Sequence, residues 1–101
     1  MKEIKITKAN NLWQKVKGLL GENKPHALLI KTHWGIHTLG MQFPIDVVIL
    51  DKANKIVALK SNLKSNQIYL WNPIYNTVLE LPAGFIKEKS LKVGEKIQFT
   101  E

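Results

Sequence analysis

The run Ile45-Asp46-Val47-Val48-Ile49-Leu50 constrains the fold of this chain more than any other stretch. Four of its six residues are β-branched aliphatics, whose stiff side chains suit a pleated surface better than a helix. Pro44 precedes them. Proline has no amide hydrogen to give to a sheet, so a strand starts at or after it. Residues 45, 47 and 49 are apolar, and so are 48 and 50 on the opposite face. Apolar on both faces reads as a strand covered on both sides. Asp46 breaks the pattern. A carboxylate there is costly unless it is paired, hydrogen-bonded or beside a wet pocket. Two readings stand: a structural acceptor for loop amides near Gly40 or Met41, and a pocket carboxylate.

The flanking segments point to short strands. Residues 3–7 alternate apolar and polar, as a half-buried strand does. Leu12, Trp13, Val16, Leu19 and Leu20 then form one helical stripe, with Asn10 or Asn11 as cap and Gly21 just past its end. Residues 27–32 read as a strand, and Gly35 as a bulge or a close backbone approach. Residues 36–38 read as a brief strand. The run 45–51 turns at 52–55, where Asn54 takes the left-handed conformation, and 56–59 returns antiparallel. Residues 61–66 read as a polar loop. Residues 67–71 and 75–80 read as strands, with Pro82 closing the second. Residues 84–90 suit one or two helical turns, and 96–100 a last strand. The fold class expected is α+β: a β-rich compact single domain over residues 1–101. Its mainly antiparallel sheet is curled or closed into a small barrel, with one N-terminal amphipathic helix packed on it.

Composition narrows the function. The chain has 101 residues and is 45% hydrophobic, enough for one core without staples. It has no cysteine, which excludes disulfides, thiolate metal sites and cysteine nucleophiles. No apolar leader opens it, and no stretch is long and apolar enough to span a bilayer. The expected location is the cytoplasm, with no membrane association. Net charge is +7, and all fifteen basic residues are lysines scattered along the chain. Readers of nucleic acid lean on arginine for bidentate contacts. A specific nucleic-acid partner is therefore not expected, and any such binding should be weak and sequence-blind through surface lysines.

Three motifs occur in order: Gly18-Leu19-Leu20; Ile36-His37-Thr38-Leu39-Gly40-Met41-Gln42-Phe43-Pro44 running on to Asp51; and Val78-Leu79-Glu80-Leu81-Pro82-Ala83-Gly84 followed by Leu91-Lys92-Val93-Gly94-Glu95. Together they resemble the family called domain of unknown function 192, over almost the whole chain. The resemblance implies a compact β-rich domain with a short helix. It points to the leaderless branch with a His-Thr centre rather than the Trp-Met-x-Asn-Thr version. The family has no established catalytic residue, so none is carried over.

The candidate chemistry centres on the same stretch. His33, His37 and Met41 are spaced by four. On a strand that puts them on one face but about 13 Å apart, too far to share an ion, so neither a metal nor another cofactor is expected. No nucleophile elbow, phosphate loop or zinc-binding helix motif occurs. Glu80, like Asp46, sits at the end of an apolar strand beside a Gly/Pro loop. The expectation is a non-catalytic module that binds a small ligand or a protein, monomeric or homodimeric. Its pocket brings together His37, Asp46 and Glu80, with Trp34, Thr38, Met41 and Phe43 around them. A small hydrolase-type enzyme using the same polar groups is the alternative.

Overall fold

The computed structural model describes residues 2–9, 27–33, 35–37 and 44–100. Nine strands and one short helix occur among them: β1 (Lys2–Lys5), β2 (Thr7–Ala9), β3 (Leu28–Lys31), β4 (Gly35–His37), β5 (Ile45–Leu50), β6 (Ile56–Leu63), β7 (Ile68–Leu70), β8 (Thr77–Pro82), α1 (Phe85–Glu88) and β9 (Ile97–Thr100). The centre is a five-stranded sheet in the order β2-β3-β8-β5-β6. The long aliphatic runs supply its middle strands. β5 is buried at every position, and β8 at all but Pro82.

Period-two alternation sends the side chains of β5 to two cores. Val48 and Leu50 join Leu29, Leu79 and Leu81 on one face. That face is covered by Ile4 of β1, Ile97 of β9 and Ile86 of α1, with β1 and β9 paired in parallel as a separate ribbon. Ile45, Val47 and Ile49 join Leu28, Ile30 and Val78 on the other face. It is covered by Ile36 of β4 and by Tyr69, Trp71 and Tyr75, with β4 and β7 forming an antiparallel ribbon. Each fully buried Val, Leu or Ile contributes roughly 1.5–3 kcal/mol, so both layers hold the central sheet in place.

Local chemistry explains the joints. Asn54 adopts φ 61° in the β5–β6 turn, as expected of Asn at such a position. Gly35 is a close approach: a Cβ there would lie 2.6 Å from the Tyr69 carbonyl oxygen and 2.5 Å from Leu70 Cδ2. β6 runs on to Leu63, through residues expected to be a loop. Between Ile45 and Val47 its register against β5 slips, with Leu63 opposite Ile45 and Lys60 opposite Val47. Asn62 takes up the extra residue at φ 55°, as a β-bulge requires.

The expected fold class needs correction. In place of one curled or closed sheet there are three sheets, none closed among the described residues. The amino-terminal segment is strand, β1 then β2, and the one helix described is α1, late in the chain. The α+β picture of an N-terminal helix on a single sheet gives way to a β-rich, layered arrangement. The physical reason lies in the two-faced aliphatic runs: burying both faces takes a ribbon on each side. The stripe Leu12, Trp13, Val16, Leu19 and Leu20 lies outside the described residues. Among the described residues, four of the six strand pairings are antiparallel, and β1–β9 and β2–β3 are parallel.

Candidate functional site

Asp46 is 1% exposed and points to the face that carries α1. Its Oδ1 accepts the amide hydrogen of Asn62 at 2.9 Å. Its Oδ2 accepts those of Gly84 at 3.1 Å and Ile86 at 2.9 Å. Each donor has a local reason to need it. The bulge turns the Asn62 amide out of the ladder. At α1, Gly84 occupies the cap position at φ 93° and has no side chain to cap with, so the first-turn amides need an acceptor from elsewhere. Asp46 reaches across from β5 and supplies it. One carboxylate thereby fastens the bulge, the Pro82–Gly84 loop and α1 to the central sheet. Charge-assisted bonds of this kind are about twice as strong as neutral ones.

Glu80 is fully buried, at 0% exposure. Val47 of β5 lies beside it on one side and Leu28 of β3 on the other, both in the second core. Asp46 itself pairs with Leu81. The two carboxylates therefore stand on adjacent strands one register position apart, and alternation sends them to opposite faces. They share no pocket.

The remaining candidates divide in the same way. His37 is the last residue of β4, whose Ile36 packs in the core on the Glu80 side. β4, which His37 ends, therefore lies over the Glu80 side of the sheet and away from Asp46. Trp34, Thr38, Met41 and Phe43 lie outside the described residues, as do Gly40 and Met41 as expected amide donors for Asp46. His33 is exposed and donates its Nδ1 hydrogen to the Pro73 carbonyl at 2.8 Å, which fixes that nitrogen as the protonated one. No group of three or more His, Cys, Asp or Glu that could hold a metal occurs among the described residues. Nor is any helix among them long and apolar enough to cross a membrane. Beneath the β4–β7 ribbon, Tyr69 and Trp71 meet at 5.9 Å between ring centroids, and burial pushes the Tyr69 phenol above 10.0.

The residues that sequence reasoning missed are the donors: the amides of Asn62, Gly84 and Ile86. Two signals pointed to them. An Asn inside a strand tolerates the left-handed conformation that a bulge needs. A helix opening at Gly84 lacks a side-chain cap and so requires a distant acceptor.

The model of a family described as "uncharacterized ACR", the domain of unknown function 192 (DUF192), matches residues 1–99. The chain belongs to this family. A relative described as a UPF0127 protein, from Pyrococcus abyssi (strain GE5 / Orsay), is 29% identical over 103 residues, spanning 96% of this chain and 87% of that one. Two crystal structures share the DUF192 chain's fold. One, from Sinorhizobium meliloti 1021, is provisionally described as a transcription regulator. It superposes with a TM-score of 0.76 at 20% identity, over 90% of this chain and 78% of that one. The other, a protein of unknown function from Novosphingobium aromaticivorans DSM 12444, gives 0.74 at 14% identity, over 90% and 71%.

Proposed function

We propose that this DUF192 member is a non-catalytic binding module that receives a small molecule or a protein segment on the Glu80 side of the central sheet. The observation that carries the reading is the placement of Glu80, a wholly buried carboxylate between Leu28 and Val47 in the layer that β4, ending at His37, covers. Burying an ionisable group demands partners of its own, and ionisable groups in buried settings concentrate at functional sites. Asp46 has no part in binding, because its oxygens serve the fold. That separation also weighs against the hydrolase alternative, which would draw an acid–base pair from the two carboxylates. Trp34, Thr38, Met41 and Phe43 remain the proposed apolar and hydroxyl surroundings of the ligand. The module works in the cytoplasm as a monomer or homodimer.

A thermal-shift screen of metabolites tests this reading. A hit should raise the melting temperature of the wild-type protein and of Asp46→Asn, and do so for neither Glu80→Gln nor His37→Ala. A hit that is indifferent to both Glu80 and His37 would rule out the Glu80 side as the site. The lysine-rich charge and the description of the Sinorhizobium relative motivate a second reading, nucleic-acid binding. It predicts an affinity blind to sequence that falls steeply with salt through counterion release.

A further inference from the structure

A concave place on the molecule lies at the opposite end of β5 from Asp46. A pocket of about 470 Å³ opens there, within the range of small-molecule sites. Leu50, Ile74 and Tyr75 supply its apolar lining, and Asp51, Lys52 and Asn76 its polar groups. Ile74 is 70% exposed, a large aliphatic side chain left in water at the rim.

Both walls are held in shape before any ligand arrives. On one side, Asp51 Oδ1 accepts the amide hydrogens of Ala53 at 2.8 Å and Lys55 at 2.9 Å, and the Asp51 carbonyl accepts that of Asn54 at 3.0 Å. The opposite wall is irregular backbone, tied down at several points. The Trp71 indole donates to the Tyr75 carbonyl at 2.8 Å, the Ile74 amide donates to Asn72 Oδ1 at 3.1 Å, and the Thr32 amide donates to the Asn76 carbonyl at 3.0 Å. The His33 bond to Pro73 adds a further tie. Walls already ordered spare a ligand the cost of ordering them.

The chemistry of the lining selects the ligand. Asp51 has given Oδ1 to its own turn and keeps Oδ2. Its neighbour Lys52, an exposed cation, lines the same pocket. A purely anionic ligand meets Asp51 with like charge, and a purely cationic one meets Lys52 in the same way; such juxtapositions are costly. A ligand carrying both charges on an apolar stem suits the set. We propose that this pocket binds a small zwitterion with a hydrocarbon body, as in a free amino acid with an aliphatic side chain: ammonium to Asp51, carboxylate to Lys52, hydrocarbon against Leu50, Ile74 and Tyr75. This site lies at the end of β5, and Glu80 does not line it, although Tyr75 both walls the pocket and covers the Glu80-side core.

Titration of isotope-labelled protein with L-leucine, followed by amide NMR, tests the proposal. Resonances of the 51–53 turn and of 74–76 should shift together, saturating at a dissociation constant of about 1 mM or tighter. Isoamylamine and isocaproate, which each keep one charge of leucine, should bind at least about tenfold more weakly. Lys52→Gln and Ile74→Ser alter solvent-facing side chains and should each weaken leucine about tenfold with no change in melting temperature. Glu80→Gln should leave leucine binding intact. The assignment is overturned if no resonance of the pocket moves, if either single-charge analogue binds as well as leucine, if the two pocket variants bind it undiminished, or if Glu80→Gln abolishes binding.

Discussion

Asp46 and Glu80 look alike in the sequence, an acid within an aliphatic strand beside a Gly/Pro loop, yet the fold treats them differently. Asp46 lies on the face covered by α1 and gathers three amide hydrogens from two separate segments. Glu80 lies one register position away on the neighbouring strand, between Leu28 and Val47, on the face covered by the β4–β7 ribbon. The difference teaches that a buried carboxylate has to be read by its face. The first is explained by architecture: a bulge and a capless helix both need an acceptor, and one side chain serves them. The second lies in the layer where the proposed binding site sits.

The largest expected effect falls on the α1 side. Asp46→Ala strands three amides together, that of Ile86 buried and the others partly so, and should cost about 4 kcal/mol, measured by denaturant unfolding with loss of protection at the Gly84 and Ile86 amides. Unchanged protection there would break the comparison, because the carboxylate would then be dispensable to α1. Next comes the ribbon that covers Glu80. Gly35→Ala drives a methyl against the Tyr69 carbonyl and should cost about 2 kcal/mol, and it should weaken any Glu80-dependent ligand response by displacing β4. Asp46→Asn, by contrast, should leave that response in place. The smallest effect concerns Tyr69. Its folded value is raised by burial, so the phenol stays protonated in the native state above pH 10.0, where the unfolded chain loses its proton. Stability should therefore decline as pH rises from about 10 toward the folded value. Tyr69→Phe should remove that decline, and ultraviolet titration should lose the ionisation raised by burial.

Much of this arrangement was legible in the residues. The aliphatic runs of β3, β5 and β8, the Asn54 turn and the close approach at Gly35 follow from side-chain shape and backbone freedom. The class of the fold was not. The segment around Ser61 and Asn62 looks like a loop because its residues are polar, yet those residues carry the bulge within β6. The separation of Asp46 from Glu80 was hidden for another reason. Where a strand is apolar on both faces, its pattern does not say which residues share a face with a neighbour; only cross-strand register does. Two equally hydrophobic strands can be paired in either parity without a penalty visible in the sequence. His37 could be placed by the fold, and the other pocket candidates of the central stretch lie outside the described residues.

The central claim is that the two carboxylates do different work, and paired equilibrium unfolding of Asp46→Asn and Glu80→Gln measures it directly. Both substitutions keep side-chain size and remove the charge. The account predicts that Asp46→Asn loses about 1.5–3 kcal/mol, as expected for charged hydrogen bonds, while Glu80→Gln loses less, as functional-site substitutions can. Equal losses, or a larger loss at Glu80, would contradict it and make both residues parts of the same structural frame.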